Sequence, residues 1–103
     1  MGNMNQMLKM AQKMQQDLAK VQEEVAGKTV EASAGGGAVR AVVNGRKDLL
    51  EVKINPEVLA PEDVEMLEDM VVAAVTQAME QAEEMMAEAM AKITGGLKLP
   101  GIM

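Results

Sequence analysis

The sequence predicts an α+β fold with the element order α-β-β-β-α, in which a small antiparallel sheet lies between two helices. Three observations predict it. Apolar residues repeat with heptad spacing through residues 3–26. Residues 28–55 then hold three short stretches in which apolar and polar residues alternate, separated by glycine-containing turns. Residues 61–94 form one long helical pattern, and 103 residues suit a single domain spanning 1–103.

The first helix is predicted over residues 3–26. Its apolar residues step alternately by three and four positions, which places them on one side of the helix, and Gly27 is a suitable stop. A sustained seam of this kind is typical of a helix that packs along a partner. The seam consists of Met4, Met7, Ala11, Met14, Leu18, Val21 and Val25.

Three strands are predicted within residues 28–55, each with one face toward the core. Alternation places Arg40 and Lys53 together on the outer face of the sheet. The inward residues are Val30, Ala32 and Ala34 on the first strand, Val39, Ala41 and Val43 on the second, and Leu50, Val52 and Ile54 on the third.

Two glycine-containing turns are predicted to join the strands. The triplet 35–37 is expected to relieve a tight connection, and it is not a phosphate-binding loop, because no helix and no Gly-Lys-Ser/Thr ending follow it. Asn44-Gly45 is typical of a two-residue hairpin turn, since glycine adopts positive φ readily and asparagine nearly so. Arg46 and Lys47 would then lie at the hairpin tip.

The long helix is predicted over residues 61–94, with Pro61 at its first position and a stop at Gly95-Gly96. Residues 62–94 contain neither glycine nor proline and would span about 50 Å. A globule of this size has a radius of gyration of only about 13 Å, so the helix is expected to bend or to project. Its alanine-rich face over residues 71–89 is predicted to pack against another helix, and residues 95–103 form a tail of uncertain role.

Charge is divided unevenly along the chain. Residues 1–54 carry eight cations and six anions, whereas residues 55–103 carry two cations and ten anions. The halves therefore have net charges of +2 and −8 within a chain of −6. Lys9, Lys13 and Lys20 share the outer face of the first helix, which is either a solvated face or a contact surface for an anionic partner.

The composition argues against an enzyme and against a metal centre. The chain has no cysteine and no histidine, and its one serine, Ser33, has no histidine to activate it. Glu80, Glu84 and Glu88 are spaced like a helical carboxylate ladder, but helical di-metal sites of that type usually add histidine. A solvated acidic face is the better interpretation. We therefore expect no catalytic residue, no metal, no cofactor and no small-molecule substrate.

Nothing in the sequence indicates a membrane protein. No apolar stretch approaches the roughly 20 residues that a membrane span needs, and the first residues do not have the pattern of a signal peptide. A cytoplasmic location is the expectation.

Several segments together resemble the YbaB/EbfC family of bacterial nucleoid-associated proteins. They are the heptad helix, "GGGAVRAVVNG", "LLEVKINPEVL", "EDVEMLEDMVVAAVTQAM" and the "LPG" of the tail, and they cover nearly the whole chain. The resemblance implies an α-β-β-β-α fold and a homodimer whose long helices project like the arms of tweezers. It also implies DNA binding, with roles in nucleoid organisation, gene regulation and DNA protection.

Under this resemblance the cations become candidate DNA-binding residues. Contacts to phosphates supply affinity without sequence information, and duplex DNA is favoured because no aromatic residue is present to stack on unpaired bases. The acidic residues between Glu80 and Glu88 depart from what a DNA-gripping arm needs. The alternative is therefore a dimeric helical module that binds proteins and not DNA. The candidate DNA-binding residues are Lys9, Lys13, Lys20, Arg40, Arg46, Lys47 and Lys53.

Overall fold

The computed structural model describes residues 2–58 and 60–95, and the predicted element order is confirmed. The predicted tail from residue 96 to residue 103, including the stop at Gly96, lies outside the described residues. Two short 3-10 turns, Pro56–Val58 and Pro61–Asp63, precede the second helix. The helices and strands are α1 (Gly2–Ala26), β1 (Thr29–Ala34), β2 (Val39–Asn44), β3 (Leu49–Ile54) and α2 (Val64–Thr94).

The sheet is antiparallel with the order β1-β2-β3, so β3 is an edge strand. Val42 pairs with Glu51 while Val43 pairs with Leu49, which leaves Leu50 as an extra residue in a bulge. The expectation that Leu50 points into the core is therefore wrong, and its side chain is 55% exposed.

The core lies between the sheet and the part of α2 that runs from its start to Ala82. Ala74, Ala78 and Ala82 of α2 are fully buried against a cluster that includes Val39, Ala41 and Val43. The alanine-rich face therefore packs on the sheet, and the prediction that it packs against another helix is wrong for these residues. Small side chains suit this position because they let the helix backbone approach the strands closely.

Beyond the sheet, the two helices form a projecting arm. Val25, at the end of α1, lies against Gly45 in the turn between β2 and β3, and Met86 of α2 shares a groove with Arg46 in the same turn. From this end of the sheet, α1 extends outward toward its N-terminus and α2 extends outward toward its C-terminus. The molecule measures 73 × 27 × 15 Å with a radius of gyration of 20.0 Å, so the predicted projection is confirmed.

The two turns differ in how far they follow the sequence expectation. Gly35, Gly36 and Gly37 all have positive φ, as a tight connection made by glycines requires. At the second turn, the positive φ belongs to Lys47 and not to Gly45. Gly45 is needed for a different reason: a Cβ atom there would collide with the carbonyl group of Val25.

Candidate nucleic-acid interface

The three lysines of α1 form one exposed stripe. Lys9, Lys13 and Lys20 fall within about 40° of one another around the helix axis and extend over a rise of about 16 Å. All three side chains are exposed, whereas Leu18 and Val25 on the other side of the helix are half-buried and buried. Within residues 2–58 and 60–95, no carboxylate lies within ion-pairing distance of these lysines. Their positive charge is therefore presented to solvent.

The turn between β2 and β3 is organised by the side chain of Asn44. Its Oδ1 atom accepts hydrogen bonds from the backbone N–H groups of Arg46 and Asp48, both at 2.9 Å. Its Nδ2 group donates to Asp48 Oδ2 at 3.2 Å, and its carbonyl oxygen accepts from the N–H of Lys47 at 2.9 Å. These bonds form a compact loop that holds Arg46 and Lys47, both exposed, at the tip of the hairpin.

Lys28 joins the same end of the sheet, although the sequence interpretation did not select it. Its carbonyl oxygen accepts a hydrogen bond from Gly45 N–H at 3.0 Å, and its side chain is exposed. The antiparallel topology brings it there, because Thr29 at the start of β1 pairs with Asn44 at the end of β2. The sequence already predicted that the first two strands pair in antiparallel fashion, and that pairing alone would have placed Lys28 beside the second turn. We define Lys28, Arg46 and Lys47 as the hairpin-end cluster.

Arg46 also lines a groove where the hairpin meets the arm. The groove has a volume of ≈ 430 Å³ and is bounded by Ala19, Gln22 and Glu23 of α1 and by Met86 of α2. Arg46 thus lies against the helical turns of α1 that carry Lys20. The hairpin-end cluster therefore lies near the inner end of the lysine stripe, with the carboxylate of Glu23 on the same groove as Arg46.

The outer face of the sheet is balanced in charge. Arg40 and Lys53 are cross-strand partners there, as alternation predicts. Arg40 Nη1 lies 3.3 Å from Glu31 Oε1, and Lys53 Nζ lies 3.1 Å from Glu51 Oε1. All four side chains are exposed, so each ion pair is a weak surface interaction. A phosphate that binds Arg40 or Lys53 must still compete with the carboxylate already there.

The exposed face of α2 along the arm is acidic. Glu80, Glu83 and Glu84 line a shallow groove of ≈ 370 Å³ together with Ala87, and the three glutamates are exposed. The outer half of α1 carries Lys9 and Lys13 with no acidic residue, whereas Asp17, Glu23 and Glu24 accompany Lys20 on the inner half, so that α1 as a whole has no net charge. The arm is least acidic on the outer half of α1, and a polyanion is repelled least there.

The described residues also bear on two other classes of function, metal binding and membrane insertion. In residues 2–58 and 60–95, no group of acidic side chains is placed to hold a metal ion. Neither helix in that part of the chain contains a stretch that is long and apolar enough to cross a membrane.

Comparison with known proteins places the chain in a family. The model of the YbaB/EbfC DNA-binding family matches residues 1–97. The chain belongs to this family. YbaB/EbfC proteins are DNA-binding proteins and are not a known family of enzymes.

Curated relatives agree over nearly the full length. The chain is 60% identical over 100 residues to a nucleoid-associated protein of Thermoanaerobacter pseudethanolicus, covering 97% of this chain and 90% of that protein. It is 52% identical over 101 residues to a nucleoid-associated protein of Pelotomaculum thermopropionicum, covering 98% and 96% of the two chains. Both are therefore whole-chain relatives and not matches to a shared fragment.

A solved structure shares the fold of this YbaB/EbfC chain. The crystal structure of an uncharacterized Helicobacter pylori protein superimposes with a TM-score of 0.76, covering 88% of this chain and 96% of that one. The two sequences are 21% identical, so the likeness shows the α-β-β-β-α fold and nothing about the ligand.

Proposed function

We propose that this YbaB/EbfC protein binds duplex DNA as a homodimer, mainly through contacts to the phosphate backbone. The observation that carries the proposal is the set of exposed cations on α1 and at the hairpin end, which have no carboxylate partner among the described residues. Backbone contacts position a protein on the duplex and supply affinity without reading sequence. Acting in the cytoplasm at the nucleoid, such a protein would bend or cover DNA. Its roles would be nucleoid organisation, gene regulation and DNA protection.

The seven candidate residues from the sequence differ in how freely their charge is available for a phosphate. Lys9, Lys13 and Lys20 form one part of it, and Arg46 and Lys47, joined by Lys28, form the other. Arg40 and Lys53 are secondary contributors, because each would have to exchange an existing carboxylate partner for a phosphate. The acidic side of α2 faces away from the duplex.

The uncovered inner face of β3 supports the homodimer. Val52 and Ile54 lie opposite Ala41 and Val39, which are fully buried, yet Ile54 is 38% exposed. The cause is that α2 lies over β1 and β2 and makes little contact with β3. A second copy that covers this edge would bury the apolar side chains and remove an unpaired strand edge, which is otherwise prone to association.

A titration of fluorescently labelled duplex DNA at several salt concentrations tests DNA binding. We expect micromolar affinity and a slope of about −0.9 in log K against log salt for each phosphate contact, with roughly three to six contacts per dimer. The shallow slope follows from the small number of cations on each surface. Binding that is equal for unrelated duplex sequences would agree with backbone recognition.

Charge-removing variants locate the surface. Lys9→Gln/Lys13→Gln and Arg46→Gln/Lys47→Gln should each weaken binding to all duplexes and lower the salt slope by about 1 per lost contact. Lys92→Gln is the matched control, because Lys92 is an exposed lysine in the last turn of the acidic helix. If the control loses as much affinity as the two double variants while all remain dimeric, the proposed surface is wrong.

The second candidate function is a dimeric helical module that binds proteins. It is favoured by the exposed apolar residues on the outer half of α1, where Met4, Met7 and Met10 are each more than half exposed. Absence of duplex binding at low salt, in a dimer shown to be intact, would select this candidate over the first. In either case the chain would act by binding and would catalyse no reaction.

A further inference from the structure

The apolar seam of α1 has two halves with different environments. Its inner half packs against α2, with Leu18 and Val21 half-buried and Val25 buried. Its outer half is open, and Met7 and Met10 are 68% and 64% exposed. Met7, Met10, Ala11 and Met14 line a groove of ≈ 330 Å³. We call these four residues the methionine groove.

The groove begins where α2 ends. Met86 lies beside residues 19–23 of α1, and Gly95 is about 13 Å farther out along α2. The same rise counted back along the antiparallel α1 reaches about residue 12. The helical partner that covers the inner seam therefore stops beside the methionine groove, and the sequence continues after Gly95 with residues 96–103, GLKLPGIM.

The sequence of this segment is suited to the groove. Leu97, Leu99 and Ile102 are apolar, and Pro100 disfavours a continuation of α2. Eight extended residues span up to about 26 Å, whereas the open part of α1 from residue 12 to residue 4 rises only about 12 Å. The segment is long enough to cover the groove of its own chain.

We propose that residues 97–103 dock in cis on the methionine groove and continue the apolar packing that α2 provides along the inner seam. Methionine side chains adapt well to an irregular partner of this kind. The groove lies about 130° around α1 from the lysine stripe, so tail and duplex would occupy different sides of the helix. The inference is independent of the proposed function, because the proposed DNA-binding surface contains no residue of the tail.

The chain has no cysteine, which allows a single spin label to be placed at Lys98→Cys in the full-length protein. Methyl signals of the methionines then report on proximity to the label. We expect Met7, Met10 and Met14 to lose most of their intensity, while Met66 and Met70, at the other end of α2, keep theirs. Unchanged Met7 and Met10 signals would overturn the proposal.

Two further measurements separate the alternatives. The first adds Leu97→Ser/Leu99→Ser to the spin-labelled chain, and this variant should restore the Met7 and Met10 signals. The control Gly101→Ser keeps every apolar side chain of the tail and should leave those signals weak. Spin-labelled chains without isotope are then mixed with isotope-labelled chains without the spin label. Broadening of Met7 in this mixture would show that the tail reaches a second chain, and would overturn docking in cis.

Discussion

Lys47 is the residue at which the demands of the fold and of the proposed DNA binding diverge. Its φ of 69° lies in the left-handed region, which costs a residue with a Cβ about 1–2 kcal/mol. A glycine would adopt this conformation without strain, but it would remove a cation from the hairpin tip. Substitutions at residue 47 can therefore change the free energy of unfolding and the affinity for DNA independently.

Two substitutions use that separation. Lys47→Gly and Lys47→Ala remove the same charge, so both should weaken duplex binding equally. Only glycine relieves the backbone strain, and we expect its free energy of unfolding to exceed that of the alanine variant by about 1 kcal/mol. Urea unfolding and DNA titration of the two purified variants provide the comparison. Equal stabilities would mean that the left-handed conformation of residue 47 carries no cost.

At the scale of the element, α2 has one face that tolerates no extra volume. Ala78 is fully buried against the sheet, so Ala78→Leu should lower the free energy of unfolding by about 1–3 kcal/mol through overpacking. Ala73→Leu places the same side chain on the exposed face of the same helix and should change stability by less than about 0.5 kcal/mol. Thermal or urea unfolding would measure both. Similar losses in the two variants would contradict the packing described for α2.

Sequence reasoning predicted the elements better than it predicted their partners. Periodicity is a local property of the sequence. The heptads therefore predicted α1, and the alternation of apolar and polar residues predicted β1 and β2. The partner of Ala78 is set by which surface α2 happens to cover, and the sequence contains no local signal for that choice. The bulge at Leu50 is similar, because it depends on the loop that holds Asn44 and Asp48 and on the resulting register.

The candidate site was predictable in composition and less so in geometry. The charge split and the spacing of Lys9, Lys13 and Lys20 identified one exposed stripe. The ion pairs of Arg40 and Lys53 were not foreseen, although their partners Glu31 and Glu51 were visible in the sequence. Lys28 was missed because it adjoins the hairpin through the topology of the sheet and not through its neighbours in the chain.

For the whole molecule, the open edge of the sheet makes the oligomeric state the decisive property. Light scattering should give twice the chain mass of 11.0 kDa. Ile54→Glu would place a charge on the uncovered apolar face of β3 and should shift the mass toward a single chain. Ser33→Glu, on the exposed outer face of β1, is the control and should leave the dimer intact. A dimer that persists in Ile54→Glu would place the interface elsewhere.

The loop that holds the hairpin tip also determines how this protein ages chemically. Asn-Gly is the dipeptide most prone to spontaneous deamidation, in which the glycine nitrogen attacks the asparagine side-chain carbonyl to form a succinimide. Here the Gly45 N–H donates to Lys28, and Asn44 Oδ1 accepts two backbone hydrogen bonds. The bond to Lys28 engages the attacking nitrogen and opposes its deprotonation, whereas the two bonds to Oδ1 fix the side-chain carbonyl in place without lowering its reactivity. Conversion of Asn44 to aspartate would add a negative charge beside Arg46, so a hydrogen bond that slows the attack of Gly45 also helps to preserve the charge of the hairpin end.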